Sequence, residues 1–172
     1  MTVYIDTNVI VAKYHPRDPY YASSRSFLDS STDKVVSPLS VVELMAVTSR
    51  QAKELHAPDE ILREPPRRRI RAIVEFFLRD SNITIVPVAA QAKVKVAKSI
   101  LTLPLEYVSS LGLASLGLRT LDLMHLAYAH NIRSSGYELD SFVTTDTAIL
   151  KKSVEIEKLL KIHVKKPESQ NL

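Results

Sequence analysis

Four carboxylates fall at the same kind of place along the chain. Asp6 closes the apolar run Val3–Ile5, in Val-Tyr-Ile-Asp-Thr-Asn. Glu43 follows the run Lys34–Ser37, in Ser-Pro-Leu-Ser-Val-Val-Glu. Asp122 stands in Arg-Thr-Leu-Asp-Leu-Met-His, and Asp146 in Phe-Val-Thr-Thr-Asp-Thr. Acids gathered in one place repel one another unless cations screen them. Hard divalent cations such as Mg²⁺ and Mn²⁺ take oxygen ligands, which makes a metal site the one cause that explains all four. Metals held by carboxylates activate water and stabilise the charge that develops on a phosphodiester during in-line displacement. Such chemistry needs no protein nucleophile, in keeping with the absence of cysteine and of a Gly-x-Ser-x-Gly elbow.

Each acid also has a structural reading. Ser40-x-x-Glu43 satisfies the capping-box pattern, with Glu43 in the first turn of a helix. Asp122 beside Thr120 suits the positive end of a helix, and Asp146 suits an N-cap. Capping explains Asp6 least, because Thr7 and Asn8 stand ready to cap in its place. His125, three residues after Asp122, reads as an interior imidazole bonded to a neighbour, since no second His at i+4 completes a zinc-type pair. Asp18 reads as a loop acid, and Tyr14, Tyr20 and Tyr21 as helix-packing aromatics.

The elements that position these residues are short. Val3–Ile5, Lys34–Ser37, Ile83–Val86 and Phe142–Thr144 read as strands buried on both faces, with Ile162–Val164 a weaker fifth. Helical spacing runs through Val41, Leu44, Met45, Thr48, Ala52 and Leu55, and through Ile70, Ile73, Val74, Phe77 and Leu78. Tyr20–Asp29 and Ala89–Leu101 read as further helices. Leu121–Ile132 has almost no polar face, the mark of a buried helix. This alternation predicts an α/β fold, a three-layer α/β/α arrangement around a mostly parallel sheet of four or five strands. In such a sheet the strand C-termini and the following helix N-termini share one edge, where ligand sites form. The four acids meet there if the first, second and fourth strands are neighbours. His56–Arg71 carries Pro58, Pro65 and Pro66, then Arg67, Arg68, Arg69 and Arg71, and reads as a loop or corner presenting a basic cluster, suited either to RNA phosphates or to a solvated charge run beside Glu64.

The 172 residues, 45% hydrophobic and 24% charged, suit one domain over 1–165 with a polar tail over 166–172. The absence of cysteine excludes disulfides, thiolate metal sites and thiol catalysis. The longest uncharged runs, Ser81–Ala92 and Tyr107–Leu118, fall short of the ~18 apolar residues of a membrane span. The N-terminus has no signal-peptide pattern, so a soluble cytoplasmic protein is expected. With 23 Lys plus Arg against 19 Asp plus Glu, the net charge of +4 is compatible with a polyanionic partner but is weak evidence by itself.

Val-Tyr-Ile-Asp-Thr-Asn-Val-Ile, Ser-x-x-x-x-Glu-Leu around Glu43, Leu-Asp-Leu-Met-His-Leu-Ala-Tyr-Ala around Asp122 and Val-Thr-Thr-Asp around Asp146 together resemble the PIN-domain family. The resemblance spans about Val3 to Val164. It implies a PIN-like parallel-sheet α/β fold and a Mg²⁺- or Mn²⁺-dependent nuclease, usually an endoribonuclease. By position, Asp6, Glu43, Asp122 and Asp146 match the family's catalytic metal-binding acids. Thr7 and Asn8 match the residues after the first Asp, and Thr144 the supporting Thr or Ser before the last. Many small members are toxins of VapC type, homodimeric and paired with an antitoxin. This chain is longer than many of them, with His56–Arg71 as extra sequence.

The expected reaction is hydrolysis of RNA by metal-activated water, leaving a 5′-phosphate and a 3′-hydroxyl. Phosphotransfer through an aspartyl-phosphate fits poorly. Haloacid-dehalogenase-type enzymes need an Asp where Asn8 stands, and a receiver domain needs an acid where Pro87 and Val88 follow the third strand. The non-enzyme alternative is an RNA- or protein-binding module that keeps the PIN fold without turnover. A pure binder of polyanions gains nothing from clustered acids.

Overall fold

The computed structural model describes residues 2–168, so the last four residues of the expected tail lie outside the described part. The elements in chain order are β1 (Thr2–Ile5), α1 (Thr7–Tyr14), α2 (Tyr21–Leu28), β2 (Asp33–Val36), α3 (Pro38–Gln51), α4 (Asp59–Leu62), α5 (Pro66–Asp80), β3 (Ile83–Ile85), β4 (Gln91–Val96), β5 (Ser99–Pro104), α6 (Leu105–Gly112), a 3₁₀ turn (Ala114–Leu116), α7 (Thr120–Ser134), β6 (Leu139–Val143), α8 (Thr147–Lys151), α9 (Ser153–Leu160) and β7 (His163–Lys165).

Five strands form one sheet in the order β3-β2-β1-β6-β7, and every pairing is parallel. Side chains alternate across it, as the two-residue period of a strand requires. Tyr4, Val35 and Phe142 face one way, into a core with Met124, Leu126 and Ile132 of α7 and Ile149 and Ile156 of α8 and α9. Val3, Ile5, Val36 and Val143 face the other way, against Val9 and Ile10 of α1, Leu44 of α3 and Ile73 and Phe77 of α5. Both faces are covered, and the expected three-layer α/β/α architecture is what the chain adopts. Tyr14 belongs to the second core, stacked on Phe77 with ring centroids 3.8 Å apart. No helix among the described residues is long and apolar enough to cross a membrane.

The strand order places the site. From β1 the chain adds β2 and β3 on one side, then returns to add β6 and β7 on the other. The reversal lies between β1 and β6, and crevices in open α/β sheets form outside the strand C-termini at such a point. Tyr4 pairs with Phe142 and Ile5 with Val143, so Asp6 and Thr144 leave the sheet side by side.

Two expectations are corrected. Ala89–Leu101 is not a helix: Gln91–Val96 and Ser99–Pro104 form a separate antiparallel hairpin, closed by Ala97 and Lys98. Lys93 and Lys95 alternate with Val94 and Val96, a strand period that wins over helix propensity. Ala97 takes the left-handed φ of 53° that a tight hairpin turn needs. Ile83–Ile85 is not buried on both faces either, since Thr84 and Ile85 of this edge strand are exposed. His56–Arg71, expected as a loop or corner, is a corner joining α4 to the start of α5. Pro66 occupies the first helical position, where its missing N–H costs nothing. Arg67, Arg68, Arg69 and Arg71 therefore sit on the first turns of a helix.

Candidate active site

Asp6, Glu43, Asp122 and Asp146 all line one cleft of about 500 Å³ at the C-terminal edge of the sheet, with Thr7, Asn8 and His125 among them. Asp18, read from sequence as a loop acid, lines it too. Arg67, Arg68, Arg69 and Arg71 are not among its lining residues.

Asp6 follows β1 directly and is 7% exposed. It precedes α1 as the N-cap residue, yet its side chain makes no capping bond. The Thr144 hydroxyl instead donates to Asp6 Oδ2 at 2.6 Å. Thr144 Oγ1 accepts in turn from Asn8 Nδ2 at 3.2 Å and from the Asp146 backbone N–H at 2.9 Å. Asn8 Oδ1 takes the Thr145 N–H at 3.2 Å. Five residues from two segments thus lock the ends of β1 and β6 together. Burial pushes the Asp6 carboxyl up to about 6, with Glu43 adding to the shift against the opposing pull of His125 and Thr144.

Glu43 is not a capping residue. α3 is capped by Ser37, whose side chain accepts from the Ser40 N–H, and Pro38 is its first helical residue. Glu43 therefore lies in the second turn, where its Oε2 receives His125 Nε2 at 2.8 Å. Burial opposes ionisation of Glu43, but that bond and the His125 charge hold its carboxyl below the usual range. The ring's Nδ1 meets the Tyr4 hydroxyl at 2.9 Å, and Tyr4 donates to Ser37 Oγ at 2.8 Å. Burial disfavours the charged His125 ring, yet the Glu43 bond and the nearby Asp6 raise its pKa. His125 is thus the interior imidazole expected, and also the group that aims Glu43.

Capping bonds do form at the other two acids. Asp122 Oδ2 accepts from the Arg119 N–H at 3.2 Å, and Asp146 Oδ1 from the Ala148 N–H at 2.6 Å. Each bond uses one carboxylate lone pair and leaves the second oxygen available. Burial and the Asp146 charge raise the Asp122 carboxyl. Among the described residues, ligand atoms of Asp6, Glu43 and His125 lie within 4.8 Å of one another. Asp122 and Asp146 line the same cleft but fall outside that group.

Thr144 is 0% exposed, so Thr144→Val keeps its shape while leaving Asp6 Oδ2, Asn8 Nδ2 and the Asp146 N–H short of a partner. An unpaired buried polar group costs about 1–3 kcal/mol. The expected result in urea denaturation is a loss of about 2–3 kcal/mol. An unchanged midpoint would mean that water replaces the hydroxyl without cost.

A family model for the PIN domain matches residues 3–155. A solved structure similar in fold is VapBC2 from Rickettsia felis bound to a DNA fragment from their promoter. Its TM-score is 0.57 at 14% identity, covering 96% of this chain and 98% of that one. Among curated proteins, none matches the sequence significantly.

Proposed function

The chain belongs to the PIN-domain family, and from that premise we propose that it is a divalent-metal-dependent endoribonuclease of VapC kind, the toxin of a toxin–antitoxin pair. The observation that carries this reading is the meeting of four carboxylates, from four separate segments, on one cleft at the switch point of the sheet. The donor set suits Mg²⁺ or Mn²⁺: carboxylate oxygens predominate and no thiolate is present. Asp6 is buried, the His125 charge pulls against its raised pKa, and among the described residues no Lys or Arg forms an ion pair with it. Thr7 Oγ1 is buried and meets no full hydrogen-bond geometry among the described residues, though its hydroxyl lies near enough to Glu43 to favour that carboxylate's charge. Both are conditions that a bound cation relieves.

Asp6 and Glu43 would hold the ion, with Asp122 and Asp146 completing the set. When bound, the ion activates water and offsets the charge gathering on the phosphate. The side chains around it do the positioning. Thr144 and Asn8 fix the Asp6 carboxylate, and His125 fixes Glu43. Arg119 lines the cleft and draws the anionic strand in. The similarity to VapBC2 supports an antitoxin partner for this chain, and homodimerisation and a cytoplasmic setting belong to the same proposal.

Incubation of the purified chain with cellular RNA tests the proposal. Mn²⁺ is expected to yield fragments bearing 5′-phosphate and 3′-hydroxyl ends, and a chelator or Asp122→Asn to suppress them. Cleavage that survives chelation, or a metal-loaded chain that cuts nothing in the pool, would overturn it.

A further inference from the structure

A second pocket, of about 390 Å³, adjoins the cleft between the end of α3 and the start of α5. Gln51 lines both. Glu43, Val47 and Gln51 recur every four residues on the face of α3 that the cleft uses. The second pocket is lined by Arg50 of α3, by Lys53 just past the end of that helix and by Arg69 of α5. Among the described residues, none of the three forms an ion pair. The acid that shares the pocket, Glu54, is engaged by His15 Nε2 at 3.0 Å. Arg69 Nε donates to the Glu64 carbonyl at 3.0 Å, which steadies its guanidinium.

Arg50 and Lys53 have a structural explanation, since cations suit the negative end of α3. Arg69 has none. It lies in the first turns of α5, whose first turn holds no acid, so its charge opposes the helix dipole. A chain tolerates such a local conflict where function uses it. Arg71, by contrast, is paired with Glu75 at 2.7 Å, and Arg67, Arg68 and Arg71 do not line the pocket.

The geometry points to a phosphate subsite for the substrate strand, with Arg50, Lys53 and Arg69 holding backbone phosphates to one side of the phosphodiester cut in the cleft. The inference rests on the ribonuclease reading above. From Glu43 to Arg50 is about 10 Å along α3 at its usual rise. That corresponds to about three steps of a stacked strand at ~3.4 Å each. Contacts to phosphate position the strand without reading its sequence, so the pocket sets the minimum length of a substrate and its direction across the cleft.

Fluorescence anisotropy with a labelled 12-nucleotide single-stranded RNA, in an Asp6→Asn background that prevents cleavage, tests the subsite. Lys53→Glu with Arg69→Glu is expected to weaken binding at least tenfold. It should also flatten the slope of log affinity against log salt by about 1.4, for two contacts of ~0.7 each on a single strand. The charge-matched pair Arg67→Glu with Arg71→Glu should weaken binding less than threefold. If the glutamate pair does not fold, Lys53→Gln with Arg69→Gln should still produce the flatter slope. Equal losses in both charge-matched pairs, or an unchanged slope with RNA still bound, would overturn the subsite alone. A wild-type chain that binds no RNA would overturn the nuclease reading and the subsite with it. A polyglutamate peptide bound as tightly as RNA, with the same sensitivity to Lys53 and Arg69, would reassign the pocket to an acidic protein and overturn the proposal.

Discussion

Asp6→Asn is expected to lower Mn²⁺-dependent RNA cleavage by about 10³-fold or more while making the metal-free protein more stable. The rate loss follows from the proposed role of Asp6 as a ligand of an ion that would supply several kcal/mol of transition-state stabilisation. The stability gain follows from burial. The Asp6 carboxyl is raised from 3.8 to about 6 in the folded chain, roughly two units at about 1.4 kcal/mol each. The native state binds the proton more tightly than the unfolded chain does. The contribution of this group to stability is therefore complete below about pH 4 and is lost as pH rises through 6. At pH 7.5 the metal-free wild type carries a burden of about 3 kcal/mol from this residue. Asparagine removes it, because its Oδ1 can still accept from Thr144. Melting curves in chelator should place Asp6→Asn several degrees above wild type, and added Mn²⁺ should raise the melting temperature of the wild type only. A variant that melts lower in chelator, or cuts RNA at the wild-type rate, would contradict the assignment.

His125→Phe should lower activity by about 10–100-fold, the usual consequence of losing the group that orients a metal ligand. The ring is nearly isosteric but offers no nitrogen, so Glu43 Oε2 loses its 2.8 Å partner and the Tyr4 hydroxyl its 2.9 Å one. Stability should fall by about 1–3 kcal/mol for the polar groups left unpaired. His125→Gln, which can donate to Glu43, should recover most of the activity while recovering less of the stability. If both variants lose equal activity, the imidazole acts by more than aiming Glu43. The KM for RNA should stay near the wild-type value, since His125 points to Glu43 and Tyr4 rather than to the mouth of the cleft.

The sheet was legible because its central strands β2, β1 and β6 are largely buried and appear as apolar runs, and because the partly exposed edge strands β3 and β7 still carry short apolar stretches. All five candidate strands are present, and the expected neighbours β2, β1 and β6 are adjacent. The convergence of the four acids follows from that order. The local roles of the acids were less legible, because a capping box and a buried carboxylate share the same residue types. Ser40-x-x-Glu43 has the motif, but Ser37 and Pro38 start α3 three residues earlier and carry Glu43 inward to His125. Capping bonds do form at Asp146, as its N-cap reading has it, and at Asp122, with Arg119 rather than Ser or Thr at the N-cap. The significance of His125 depends on Tyr4, 121 residues away across the sheet, which no local spacing encodes. The hairpin was missed for want of a turn signal, since Ala97-Lys98 stands where Asn-Gly or Asp-Gly is usual.

Anomalous diffraction at the manganese edge from Mn²⁺-soaked crystals tests most directly whether these carboxylates share a cation. A strong peak between the carboxylates of Asp6 and Glu43 is expected, absent from crystals of Asp6→Asn. A wild-type map at saturating Mn²⁺ with no peak in the cleft, and Glu43 still bonded only to His125, would contradict it.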